Sequence, residues 1–270
     1  MSATHSSFTP QNGPQLHVVR QGQGTPFLFQ HGLCGSALQT AEVFPNDSGF
    51  QCVTVEMHGH GQSEAGDPSR FSIATFADNC ATYIAQHYDA PIVIGGISMG
   101  AAIALRLAVT RPELVRGLVI ARPAWVVDAA PENMRPNAEV GALLNSHTRE
   151  TAIAIFKSST RYAELTKDAP DNLASLMGFF DRTPQPITAA LLEQISADGP
   201  GVGAAQLSAL NIPTLIFGHE RDVIHPLAHA IKLAQLIPHA QLVQITPKAT
   251  DKSRYVLEFQ SALLTFLKDF

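Results

Sequence analysis

The segment Gly96-Ile97-Ser98-Met99-Gly100 constrains this chain more than any other, because it joins an apolar run to a helical one through a very tight turn. Pro91-Ile-Val-Ile-Gly95, just before it, has the short, wholly apolar character of a buried strand. Met99 to Val109, just after it, is rich in Ala, Leu and Ile and stops at Arg111-Pro112, as a helix does. Side chains flanking the serine would clash with neighbouring backbone, so glycine is needed at Gly96 and Gly100. The turn lifts the Ser98 hydroxyl above the strand and places the free amides and positive end of the helix beneath it. A G-x-S-x-G with a strand before and a helix after is the setting in which the motif presents a nucleophile.

The rest of the chain repeats that strand–helix rhythm. Leu16–Arg20, Pro26–Gln30, Gln51–Val55 and Val115–Ala121 read as further strands, and Ile73 to His87 carries apolar residues at helical spacing. The rhythm returns late, with strands at Pro213–Gly218 and Gln241–Ile245 and helices at Pro226–Leu236 and Ser253–Leu267. Strands that are apolar on both faces predict a parallel sheet covered on both sides. From about Trp125 to Leu207 the strand signal disappears, and helical segments are broken by Pro131, Pro136, Pro170, Pro184 and Pro186. The expected fold is α/β, a mostly parallel, doubly wound sheet formed by residues 1–124 and 208–270, with an inserted helical lid at residues 125–207.

Composition excludes some classes of function. With 18 Lys and Arg against 23 Asp and Glu the formal charge is −5, and no basic stripe suited to nucleic acid is visible. No apolar run reaches membrane-spanning length, and the first residues lack the basic start and apolar core of a secretory signal. Cys34, Cys52 and Cys80 are odd in number and unpatterned, which fits reduced thiols in a cytoplasmic protein. His58-Gly59-His60, with His31 and His225, invites a metal reading, but two imidazoles on one glycine-rich turn need not converge. The expectation is a monomer or homodimer acting on a small molecule, with no cofactor or metal.

In these residues the chain resembles the α/β-hydrolases, in particular the lidded esterases and carbon–carbon hydrolases, over about Leu16–Ala124 and Ile212–Phe270. The resemblance implies that His31-Gly32 opens the oxyanion loop, with His31 supporting it and the amides of Leu33 and Met99 facing the developing oxyanion. Glu56-Met57-His58-Gly59-His60-Gly61-Gln62-Ser63 resembles a structural turn of the family, with Glu and His in place of Asp and Arg. Asp222, in Gly218–Pro226, matches the family's acid loop.

The resemblance also implies a histidine after the strand Gln241–Ile245, and there the chain departs from the pattern. The residues are Thr246-Pro247-Lys248-Ala249-Thr250-Asp251, and no histidine follows His239. The loop from Pro247 to Asp251 is expected to fill the space where that histidine would stand. Lys248 stands almost in its place and would serve as base if desolvated, while His219 and His225 border Asp222 and could swing toward the serine. Arg122, just past a strand end, and Arg135 are placed to hold a substrate carboxylate or to form an ion pair tying the lid to the body. Phe179, Phe180 and Met177 suggest an apolar roof. The expected activity is hydrolysis of a small carboxylic ester, thioester or lactone through a Ser98 acyl-enzyme with an atypical base. A lyase or carbon–carbon cleavage on the same scaffold, or a non-catalytic small-molecule-binding protein, are the alternatives.

Overall fold

The structure, a computed structural model, describes residues 3–46 and 48–270. Eight strands, β1 (Thr4–Phe8), β2 (Leu16–Gly22), β3 (Thr25–Gln30), β4 (Phe50–Val55), β5 (Ile92–Ile97), β6 (Val115–Ala121), β7 (Thr214–Gly218) and β8 (Gln241–Gln244), form one sheet in the order β1-β2-β4-β3-β5-β6-β7-β8. The pairs β1–β2 and β2–β4 are antiparallel, and every pair from β4 through β8 is parallel. Strands β5 and β7 are buried along their whole length, which is why they read as unbroken apolar runs. The sequence reading missed β1. Four of its five residues are exposed, so it carries no apolar pattern and owes its form to edge pairing with β2.

Helices cover both faces. On one, α2 (Ile73–His87), α3 (Met99–Thr110) and α10 (Leu227–Leu236) contribute Phe76, Ile103, Leu107 and Leu233 to the larger core. On the other, α1 (Ala37–Val43) and α11 (Lys252–Leu267) enclose a smaller core of Phe27, Phe29, Phe217 and Phe259. The Phe217 and Phe259 rings stack at 4.1 Å between centroids and 13° between planes. Ser72 caps α2 by accepting from the Thr75 amide, and Asp251 caps α11 by accepting from that of Arg254.

Between β6 and β7 the chain forms α4 (Arg135–Ser146), α5 (Arg149–Lys157), α6 (Thr160–Asp168), α7 (Pro170–Phe179), α8 (Gln185–Ala197) and α9 (Ala204–Ser208), with no strand among its described residues. Three of the prolines that interrupt the helical pattern stand in first turns, where a missing N–H costs nothing: Pro136 in α4, Pro170 in α7 and Pro186 in α8. Asp198, just past α8, fastens this insertion to the sheet layer. Its carboxylate accepts from the Ile73 amide at 2.7 Å, and its carbonyl accepts from the indole of buried Trp125 at 2.9 Å. Among the described residues no helix is long and apolar enough to cross a membrane.

Because Phe259 is fully buried and stacked, Phe259→Ala should cost roughly 3–5 kcal/mol of stability, measured by urea denaturation. A loss below about 1 kcal/mol would mean that this face of the sheet is not closed by α11 as described.

Candidate active site

Ser98 occupies the single residue between β5 and α3, at φ 56° and ψ −113°. Such backbone costs on the order of 1–3 kcal/mol and persists only where its surroundings enforce it. Here the Ser98 amide donates to the Ala121 carbonyl at 3.0 Å, and its own carbonyl accepts from the amides of Ala101 and Ala102. The flanking glycines are sterically obligatory. A Cβ on Gly96 would lie 2.2 Å from the carbonyl carbon of Gly100, and one on Gly100 would lie 2.3 Å from the Gln30 carbonyl oxygen. Ser98 borders a cavity of about 320 Å³ whose wall includes Leu33, Arg122, Asn172, Arg182 and His225.

The loop after β3 forms the opposite wall. The Gly32 amide donates to Gln39 Oε1 at 2.6 Å, and the Gly32 carbonyl accepts from the Gly35 amide at 2.9 Å and from His31 Nδ1 at 2.8 Å. His31 Nε2 accepts from the Met57 amide, so the ring is neutral and braces the loop from within the core. Burial lowers its pKa, consistent with that state. Among the described residues neither the Leu33 nor the Met99 amide donates to another protein group, leaving both free for a ligand. Cys34 adopts a left-handed conformation at φ 58°, and burial pushes its thiol up to about 12, which removes it as a nucleophile at neutral pH.

Asp222 lies in the turn after β7 with its carboxylate buried. Its Oδ2 accepts from Arg122 Nε at 3.0 Å and Nη2 at 2.6 Å, and its Oδ1 accepts from Asn172 Nδ2 at 2.8 Å and from the His225 amide at 2.9 Å. His225 Nδ1 lies 2.9 Å from both carboxylate oxygens. A ring nitrogen so close to two acceptors must carry the proton, which leaves the lone pair on Nε2. Arg122 Nη2, at 3.2 Å from Nδ1, therefore donates to Asp222 and not to the ring. Burial opposes the Asp222 charge, but His225 and Arg122 outweigh it and hold the carboxyl well below its usual range. His225 moves the other way: burial lowers its pKa, Asp222 raises it and Arg122 lowers it, for a net depression. The His225 Nε2 atom is shut off from solvent and has no hydrogen-bond partner among the described residues.

The other expected site residues lie elsewhere. Lys248 does not border the Ser98 cavity. Its Nζ sits 2.6 Å from Glu42 Oε2, and Lys252 binds the other oxygen of the same carboxylate at 2.9 Å. An ammonium held in an ion pair has no lone pair with which to accept a proton. The Pro247–Asp251 segment is a turn tied to the insertion through the Ala249 amide, which donates to Asp171 Oδ2 at 2.5 Å. His219 is buried against Tyr255, with Nδ1 on the Glu220 carbonyl and Nε2 3.6 Å from Asp222 Oδ2. Arg122 is paired with Asp222, and Arg135 lies exposed between Glu132 and Glu139. His58 and His60 turn inward, to Asn79 and to the His58 carbonyl, and no three metal-ligating side chains gather among the described residues.

Two residues of the wall escaped the sequence reading. Asn172, in the first turn of α7, donates to Asp222 and accepts from the Val223 amide at 2.7 Å, clamping the insertion to the acid loop. Arg182, between α7 and α8, donates to the carbonyls of Cys34 and Gly59 at 2.6 and 3.1 Å. Neither position carries a motif. Only a fold that brings the insertion down over β5 and β7 makes them visible.

A nucleophile-type elbow at the centre of a mostly parallel sheet, a free-amide loop beside it and an acid loop after β7 define a class of α/β enzyme scaffold. The model of the α/β hydrolase fold family matches residues 25–249, and the chain belongs to that family. Pimeloyl-[acyl-carrier protein] methyl ester esterase of Chromobacterium violaceum is 29% identical over 244 residues, covering 87% of this chain and 90% of that one. The sn-1-specific diacylglycerol lipase ABHD11 of Mus musculus is 26% identical, covering 94% and 85% respectively. Among solved structures, an esterase from Exiguobacterium antarcticum superposes with a TM-score of 0.74 at 18% identity, covering 98% of this chain and all of that one.

Arg122→Met should leave Asp222 buried without its cation and destabilise the protein by about 3–5 kcal/mol at pH 7. The pH dependence has a definite sign. Since the folded Asp222 pKa lies well below its unfolded value of about 3.9, its ionisation contributes fully above that value and is lost as pH falls through the folded pKa. The stability gap between the wild type and Asp222→Asn should therefore narrow as pH falls below about 4 in urea titrations. A gap that widens on acidification would contradict the assignment.

Proposed function

We propose that this chain is a serine hydrolase of small carboxylic esters, thioesters or lactones, with Ser98 as nucleophile, His225 as base and Asp222 as the acid that orients it. One observation carries the reading: His225 gives Nδ1 to Asp222 and keeps a buried, unpartnered Nε2 while forming the wall of the cavity that holds Ser98. The base then comes from three residues after the acid, on the same loop, rather than from beyond β8. The names of the relatives, an esterase and a lipase, agree with ester hydrolysis.

The chemistry follows from those positions. Nδ1–H donates to Asp222, so the Nε2 lone pair is the one able to take the Ser98 hydroxyl proton as the oxygen attacks the carbonyl. A depressed pKa keeps that lone pair free at neutral pH. Ser98 and His225 line the same cavity, and in this reading the hydrogen bond from Ser98 Oγ to Nε2 tightens in the substrate complex. The tetrahedral oxyanion meets the free amides of Leu33 and Met99, each commonly contributing about 3 kcal/mol in the transition state. His225, now protonated, returns the proton to the departing alkoxide, and the acyl-enzyme on Ser98 is released when Nε2 deprotonates a water. Helices α4–α8 act as the lid, with Phe179 and Leu176 lining the acyl pocket.

Turnover of 4-nitrophenyl acetate should fall at least about a thousandfold in Ser98→Ala and His225→Asn, and stay within about threefold in Lys248→Met. Because neutral His225 is the active form and its pKa is depressed, the acid limb of kcat/KM should have its midpoint below pH 6.5. Full activity in His225→Asn would refute this base, and a large loss in Lys248→Met would restore the lysine.

A further inference from the structure

The Ser98 cavity is unusual in its charge. Arg122 and Arg182 are in its wall together with Asn137, Asn172 and Ser175, and no acidic side chain borders it. The Arg122 charge is neutralised by Asp222. That of Arg182 is not: among the described residues no carboxylate comes within ion-pair distance of it. Its two hydrogen-bonded partners, the carbonyls of Cys34 and Gly59, fix the guanidinium in place but carry no net charge. A guanidinium has five N–H groups, so two carbonyl contacts leave donors over.

Position adds to the argument. Arg182 lines both the cavity that holds Ser98 and a neighbouring groove of about 900 Å³ that shares Cys34, Gly35 and Gln39 with it. The one carboxylate in that groove, Glu42, is already engaged by Lys248 and Lys252. Burial is the main cause of the lowered pKa values of His31 and His60 and of the raised one of Cys34, and the Arg182 charge adds a smaller lowering to each. A fixed cation without a counter-ion at the edge of a small reaction cavity is completed by an anion that arrives with the ligand.

We infer that Arg182 selects substrates whose acyl group ends in a carboxylate, so that this enzyme hydrolyses half-esters of short dicarboxylic acids. The inference rests on the hydrolase reading above and adds the substrate class to it. The carbonyl sits at Ser98, a short chain crosses the cavity, and the distal carboxylate meets the guanidinium. The cavity holds the volume of roughly ten water molecules, which suits a chain of a few carbons rather than a fatty acyl tail.

The test compares mono-4-nitrophenyl glutarate with its methyl-capped neutral diester on the full chain. A charge-assisted contact predicts that the wild type prefers the half-ester by about tenfold or more in kcat/KM, chiefly through KM. In Arg182→Gln the ratio of the two should fall to about one whatever the absolute rates, and Arg182→Lys should keep part of it. An equal loss on both esters, or no preference in the wild type, overturns the inference while leaving the hydrolase reading intact. If neither ester is turned over, the hydrolase reading fails, and calorimetry with glutarate decides the anion site separately. Binding that is present in the wild type and lost in Arg182→Gln supports the site, and no binding in the wild type overturns it.

Discussion

The geometry of the whole site depends on one buried charge, the carboxylate of Asp222. An ionised carboxyl removed from water is costly unless every lone pair finds a donor. Here the donors come from three parts of the chain: Arg122 from the end of β6, Asn172 from α7 in the insertion, and His225 from the acid loop itself. Satisfying that one group therefore locks the sheet, the insertion and the proposed base into a single arrangement. Arg122 itself has left-handed backbone at φ 47°, strain of the kind that persists only where its surroundings enforce it.

The same interaction settles which nitrogen of His225 is free. An imidazole beside a carboxylate alone would be raised in pKa, and burial with a neighbouring arginine reverses that. Asp222 orients the ring, Arg122 keeps Asp222 ionised, and Nε2 is left with its lone pair. In the proposed mechanism the base is thus made by its surroundings rather than by its place in the chain. Arg182 has a different status, since carbonyls hold it and no carboxylate cancels it. The two arginines of one cavity thus differ in their partners, a carboxylate for one and two carbonyls for the other.

The insertion couples the two halves of the site. Asn172 binds the acid loop, Arg182 binds the oxyanion loop, and Asp171 holds the turn where Lys248 lies. Movement of the α7 segment would disturb all three at once, so the cavity wall and the reacting groups are assembled together.

The sequence by itself determined the sheet core and the elbow, because both rest on local rules. Buried parallel strands must be apolar throughout, and a turn with a Cβ contact of 2.2 Å to backbone admits only glycine, so β5, β7, Gly96 and Gly100 announce themselves. Asp222 was legible through its loop after a late strand. Edge strand β1 was not, because pairing with β2 asks nothing of its exposed side chains. Only the tertiary structure decided which partners the remaining charged side chains take. Lys248 and His225 both stand near the expected position in one dimension, yet Glu42, 206 residues away in sequence, pairs with the lysine, while Asp222 pairs with the histidine. Partner choice among charged side chains depends on distances in space and on burial, and a linear pattern records neither.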